Sequence, residues 1–294
     1  MIFENLLATI SWSNVGLAGV VLLGVGLLLV AMLNVAYAKL AVKPNPVVEA
    51  ILGVLPGANC GGCGLAGCSA YAEAVAKDHG LMGRCGPGGD TVVRRIGAIL
   101  GIEAAASAPR RAVLHCAAKI SDKINTTRYQ GALSCAEAQM VPGAMGCPYG
   151  CLGYRDCVVA CAFDAIEIIE GLAVINYHKC VGCGACVKAC PRALITLLDF
   201  SEDPMLVIAC SSIDKAKEVR SYCNVGCVGC GICAKLAPNT FQLQQNLAVI
   251  DYQKYGRWAD SEKARVKCPR QMMLLVGKNA QIKKIESEKA IVEN

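Results

Sequence analysis

Four cysteines spaced x2, x2, x3 and followed by proline (Cys180, Cys183, Cys186, Cys190 and Pro191) constrain this chain more than any other feature. A loop of that spacing sets three sulfurs round one iron-sulfur cluster and sends the fourth to a neighbouring cluster. The chain holds 20 Cys in 294 residues, a density found in secreted disulfide scaffolds or in metal and cluster proteins. The ligand spacing selects the second class, and iron-bound thiolates require a reducing compartment.

Further cysteines follow the same logic. Cys60, Cys63 and Cys68, with Cys85 after a helix-length gap, form a glycine-rich four-Cys set whose backbone N–H groups can face the sulfurs. A zinc ribbon is the competing reading of such a set. The glycines also match a dinucleotide fingerprint (Gly62, Gly64, Gly67), but no strand precedes them and Cys63 stands in their middle. Upstream of Cys180 lie Cys147, Cys151, Cys157 and Cys161, with Tyr154 where a ferredoxin run has its second ligand. The expected assignment is one cluster on Cys147, Cys151, Cys157 and Cys190, and its neighbour on Cys161, Cys180, Cys183 and Cys186.

The chain then repeats itself. The run from Cys180 to Pro191 aligns with Cys227 to Pro238, and the segment from Leu172 with that from Leu247. Each copy is expected to hold a short helix and a β-hairpin, 166–169 with 172–176 and 241–243 with 247–251. The second copy has lost ligands: Ala237 replaces the fourth Cys, and Tyr255, Trp258 and Ser261 stand in the places of Cys180, Cys183 and Cys186. Cys227, Cys230, Cys233 and Cys268 remain as one complete set, and every lost ligand belongs to the other cluster. Cys116, Cys135, Cys210 and Cys223 are left over; a fifth cluster or plain buried thiols would account for them, and a grouping of Cys116 and Cys135 with Cys147 and Cys151 is the alternative.

Charge and the remaining side chains exclude other classes. The formal net charge is +6, but each oxidised 4Fe4S core with four thiolates carries about −2, so four or five clusters make the loaded protein acidic. With aromatics at 5%, nucleic-acid binding is not expected. His79, His115 and His178 are scattered, no catalytic triad or P-loop is present, and no catalytic residue is assigned. Lys179, Lys188, Arg192 and Lys235 near the clusters would suit an acidic partner or simply a solvated surface.

Between Asn5 and Ala38 no residue is charged, and 15–33 is almost wholly apolar, enough to cross a bilayer. Glu4 ahead of the run, where a signal peptide carries Lys or Arg, argues for an anchor over a cleaved signal. Lys39 and Lys43 behind it place the C-terminal body in the cytoplasm. Trp12 and Tyr37 sit where interfacial anchors belong. Lys43 to Pro46 reads as a stiff linker, 101–112 as a boundary or connecting helix, and 278–294 as a solvated helix or frayed tail.

This order of parts resembles a known family. The apolar helix is followed by the Asn59 to Cys68 module with Cys85 before Pro87, Gly88 and Gly89. The Gly150 to Ile166 segment and the Cys180 to Pro191 run come next. Together they resemble the B component of the Rnf ion-translocating ferredoxin:NAD+ oxidoreductase, over nearly the whole chain; the first module also looks like the cluster domain of corrinoid iron-sulfur proteins. The resemblance implies an electron-transfer subunit that takes electrons from soluble ferredoxin and passes them to partner subunits of a Na+- or H+-pumping membrane complex, with flavins and the NAD site elsewhere. Ala162, where a proline is expected after Cys161, and the lost cluster are departures from the pattern.

The expectation is an α+β protein: an anchor (1–40), a four-Cys module (41–105), a two-cluster ferredoxin-like domain (106–205), a one-cluster repeat (206–275) and a charged tail (276–294). It sits single-pass in the cytoplasmic membrane. The rival readings are a zinc-stabilised membrane scaffold and a cluster protein for reductive activation of a corrinoid partner; no segment is large enough for a cobalamin domain.

Overall fold

The structure is a computed structural model that describes residues 12–40, 45–103, 108–124, 129–143 and 145–280. Glu4, Lys43, Pro44 and 281–294, on which the orientation, linker and tail readings partly rest, lie outside the described residues. The chain divides into two compact units at Pro46 and Val47.

In the first unit, helix α1 (Trp12–Leu40) contains 24 residues, Gly16–Lys39, with a mean hydropathy of 2.6 in its most apolar window and none of that window buried. At 1.5 Å per residue this stretch is about 36 Å long, sufficient for a hydrocarbon core. Leu22, Leu28 and Leu33 stand exposed along it, which fits surroundings of lipid better than water.

Helix α2 (Pro46–Val54) crosses the boundary into the second unit, and its Pro stands at the first helical position, where its missing N–H costs nothing. Helices α3 (Cys68–Lys77) and α4 (Gly89–Leu100) flank a 3₁₀ turn (His79–Arg84), and Gly101 closes α4 in the left-handed conformation with φ 70°. Ile51, Tyr71, Val75 and Ile96 form their shared core. Tyr71 donates its hydroxyl to the carbonyls of Leu81 and Met82, at 3.0 and 2.6 Å, and so holds the turn in place.

The remainder is built twice. In the first repeat, strand β1 (Arg110–Leu114) leads through short helices α5 (Cys135–Gln139) and α6 (Asp156–Val159). The hairpin of β2 (Ile166–Ile169) and β3 (Leu172–Ile175) follows, then helix α7 (Ala185–Ala189) and strand β4 (Ile195–Asp199), which returns antiparallel to β1. Glu170 and Gly171, both at positive φ, make the tight turn of the hairpin. In the second repeat, β5 (Met205–Ile208) and helix α8 (Ala216–Tyr222) precede α9 (Ile232–Leu236) and the hairpin of β6 (Phe241–Gln244) and β7 (Leu247–Ile250). A 3₁₀ turn (Trp258–Ser261), helix α10 (Glu262–Val266) and strand β8 (Met273–Val276) complete it, with β8 paired antiparallel to β5.

Two expectations change here. The segment expected as a connecting helix over 101–112 instead enters β1 at Arg110, because Arg110 to Leu114 find backbone partners on β4. The Cys227 run precedes its hairpin, as the Cys151 segment does, whereas the Cys180 run follows its hairpin. The structural equivalent of the Cys227 run is therefore the Cys151 segment, despite its closer sequence match to the Cys180 run.

Candidate metal centres

Each cysteine loop is shaped by residues that tolerate left-handed backbone. Gly182 and Gly184, and likewise Gly229 and Gly231, take φ between 64° and 78° ahead of α7 and α9. In the Cys151 loop the same two places are held by Gly153 and by Arg155, at 79° and 76°. The turned chain aims N–H groups at sulfur: Ala165 donates to Cys161 Sγ and Leu194 to Cys190 Sγ, both at 3.4 Å.

The first set comprises Cys60, Cys63, Cys68 and Cys85. Asn59 accepts the Cys68 N–H at 2.8 Å and so anchors the start of α3. Burial pushes the Cys85 thiol up, with Cys68, Cys60 and Cys63 near enough to add like-charge repulsion. The second set is Cys161, Cys180, Cys183 and Cys186. Burial raises the Cys186 thiol to about 12, and Cys180, Cys183 and Cys161 add to the shift. Cys183, raised first by burial, also feels Cys60, so the two sets are neighbours.

The third set departs from expectation. One cavity is lined by Cys151, Cys157 and Cys190 together with Cys135, and Cys147 is not among them. The cause is Asp156 on α6. Its carboxylate accepts the N–H groups of Cys135 at 2.9 Å and Ala136 at 3.0 Å, and the Ser134 hydroxyl at 3.3 Å. These bonds fix the start of α5 against the cavity and bring the Cys135 sulfur, from a distant segment, to its wall. Cys157 is raised to about 12 by burial, and like-charge repulsion from Cys151 and Cys135 adds to the shift.

Cys227, Cys230, Cys233 and Cys268 line another cavity, and Cys230 is exposed. Cys147 has moved to the last group: a cavity bordered by Cys116, Cys147, Cys210 and Cys223. The leftover set expected from sequence contained Cys135 in place of Cys147; the two exchange.

The vacated half of the second repeat is filled. Tyr255 donates its hydroxyl to Glu202 at 2.5 Å and accepts the Leu206 N–H at 3.1 Å, and Glu202 also accepts the Trp258 N–H at 2.6 Å. Ser261 is buried, and its hydroxyl has no partner among the described residues. Other side chains singled out above prove structural: His115 is engaged through both ring nitrogens, by the Ile208 carbonyl and the Thr196 hydroxyl. Arg192, considered above as part of a docking surface, spends its guanidinium on the carbonyls of Cys147 and Gly150, at 3.0 and 2.7 Å.

The donor chemistry fits iron-sulfur clusters. Among the described residues no three Cys, His, Asp or Glu side chains converge to hold a single metal ion. Three of the Cys sets each bring four sulfurs to one cavity, the donor number that a 4Fe4S cluster takes. Sulfur ligands from ferredoxin-type loops, held by backbone N–H groups in short α+β repeats, define an iron-sulfur protein.

Residues 55–87 match a family of Fe-S cluster segments, and residues 173–196 match the 4Fe-4S binding domain family. The chain is 39% identical over 216 residues to the B component of the Na(+)-translocating ferredoxin:NAD(+) oxidoreductase complex of Acetobacterium woodii, covering 72% of this chain and 64% of that protein. It therefore spans less than two thirds of that relative's length. It is 38% identical over 217 residues to the B component of the ion-translocating oxidoreductase complex of Methanosarcina acetivorans, covering 72% of this chain and 81% of that one. To the proton-translocating counterpart of Clostridium ljungdahlii it is 36% identical, covering 72% and 76%. The chain belongs to this family, the B components of the ion-translocating oxidoreductase complexes.

Proposed function

We propose that this chain carries single electrons from reduced ferredoxin into an ion-translocating ferredoxin:NAD+ oxidoreductase complex. Four clusters would do so, on Cys60, Cys63, Cys68 and Cys85; on Cys161, Cys180, Cys183 and Cys186; on Cys135, Cys151, Cys157 and Cys190; and on Cys227, Cys230, Cys233 and Cys268. The observation that carries this reading is the adjacency of the first three sets. A Cβ on Gly62, between Cys60 and Cys63, would lie 2.9 Å from Cys183 Cα, and Cys157, raised by burial, also feels Cys186. A cluster accepts or gives up one electron with no bond made or broken, so the protein's task is to space the clusters and tune them by hydrogen bonds, charge and burial.

The division of labour follows the expectation from sequence: α1 anchors the chain single-pass, residues 41–105 hold the first cluster, 106–205 the paired clusters, and 206–275 the last. Lys39 at the end of α1 favours the cytoplasmic side for the body, where ferredoxin resides. Sodium and proton pumps both occur among the relatives' names, and the coupling ion belongs to the whole complex.

The test is anaerobic purification of the full chain in detergent, with iron and acid-labile sulfide counted per chain and EPR spectra taken after adding reduced ferredoxin. About 16 or more iron atoms and signals of reduced 4Fe4S clusters are expected. Zinc without labile sulfide, or clusters that reduced ferredoxin leaves oxidised, overturns the proposal.

A further inference from the structure

We propose that Cys116, Cys147, Cys210 and Cys223 bind a fifth 4Fe4S cluster, with two equivalent ligands drawn from each repeat. The inference rests on the iron-sulfur reading above and adds a site to it.

Four thiols round a cavity, three of them buried and Cys210 half-buried, are by themselves compatible with ordinary packing. What distinguishes these is that their surroundings are built twice in the same way. Cys116 stands two residues beyond the end of β1, and Cys210 two residues beyond the end of β5. Cys147 precedes Cys151 by four positions, and Cys223 precedes Cys227 by four. The Cys151 N–H donates to Cys116 Sγ at 3.4 Å, and the Cys227 N–H donates to Cys210 Sγ at 3.3 Å. Such bonds favour the thiolate, the form that binds iron.

The second ligand of each pair is gripped alike. Arg192, two residues after Cys190, donates to the carbonyls of Cys147 and Gly150; Arg270, two residues after Cys268, donates to the carbonyls of Cys223 at 2.6 Å and Gly226 at 3.2 Å. Gly150 and Gly226 are equivalent too: a Cβ would lie 3.5 Å from Cys147 Sγ in one and 3.4 Å from Cys223 Sγ in the other. Two repeats that have diverged elsewhere, to the point of losing a whole cluster from one, retain this arrangement on both sides of one cavity. Packing requires only apolar volume there; it does not require matched sulfurs, N–H donors and arginine clamps.

Charge agrees. Lys123 borders the cavity, its ammonium on the carbonyls of Cys151 and Gly171, both at 2.8 Å. Among the described residues no carboxylate forms an ion pair with that half-buried cation, whereas four thiolates round a 4Fe4S core would supply about −2.

The position gives the site its use. One hydrogen bond ties it to Cys151, in the third set, and the other to Cys227, in the last set. It therefore stands between the paired clusters and the C-terminal cluster, and completes a series in which each site has a neighbour.

The test is iron and sulfide content of the anaerobically purified full chain, compared with Cys147→Ala, Cys223→Ala and the double variant. The wild-type protein should hold about 20 iron atoms and each of the three variants about 16. Because one shared cluster is lost in all three, the double variant loses no more than either single. A wild-type content of about 16 iron atoms overturns the proposal and leaves four clusters standing, even if a variant fails to accumulate. A double variant that loses about twice as much iron as either single also overturns it, since the two cysteines would then serve separate centres. Zinc without sulfide in the wild-type chain would instead sink the iron-sulfur reading itself.

Discussion

Substituting Gly62 by alanine should loosen the first cluster module from the ferredoxin-like repeats while leaving both intact. A Cβ at Gly62 would lie 2.9 Å from Cys183 Cα and nearer still to the Cys183 carbonyl oxygen. Both are backbone atoms, so no side chain can swing aside. Ordinary contact begins at 3.4 Å, and the two segments must therefore part by at least about half an ångström. Overpacking of this kind costs about 1–3 kcal/mol, which corresponds to roughly a 5- to 150-fold shift toward the undocked form. The contact is continuous, since a Cβ at Gly86 would meet the Val181 carbonyl at 2.8 Å, and Gly86→Ala should act in the same direction. Gly83→Ala is the control, with nothing within 4 Å of the added carbon. The assay is the magnetic interaction between the reduced clusters in EPR, read at unchanged iron content, together with protease cleavage near 101–109. Weaker interaction and faster cleavage in Gly62→Ala are expected. If Gly62→Ala and Gly83→Ala behave alike at full iron content, the reasoning is refuted.

Two further perturbations follow from individual side chains. Asp156→Asn removes the charge that holds Cys135 at the third site; hydrogen bonds to a charged group contribute about 1.5–3 kcal/mol, so one cluster's worth of iron should leave faster under a chelator, and unchanged kinetics would remove Asp156 from that role. Ser261→Ala deletes a buried hydroxyl that has no partner among the described residues, an arrangement costing about 1–3 kcal/mol; the variant should unfold at higher urea concentration than the parent, and a lower midpoint would show that the hydroxyl has a use.

The legible and illegible parts of this molecule divide by how far apart in the chain the cooperating residues lie. Alternation and turn residues marked both hairpins, and the structure contains them at 166–175 and 241–250. The apolar run reads directly as α1 because a helix that faces lipid needs no partner to define it. The grouping of Cys135 and Cys147 was not legible. Both stand at irregular spacings upstream of Cys151, and the choice between them depends on Asp156, whose carboxylate reaches back some 20 residues to the start of α5. The repeat was recognisable, but its alignment followed the most similar cysteine run, and only the position of each hairpin shows which runs are equivalent. The arginines following Cys190-Pro191 and Cys268-Pro269 were a signal in plain view, since two Cys-Pro-Arg triplets occur at corresponding places. Arg192 was weighed as a docking residue because sequence alone does not show where a guanidinium points.

Tyr255 and Trp258, seated on Glu202 where a second cluster of the C-terminal repeat would otherwise lie, determine what kind of circuit the proposed sites make. With that branch filled by aromatic rings, the stations form a single file with no loop or bypass. In a series circuit the slowest hop sets the current, and damage to any one station interrupts the whole line. Oxygen attack on a cluster at exposed Cys230 would then act as a blown fuse, breaking the line at that station while the other proposed centres stay whole.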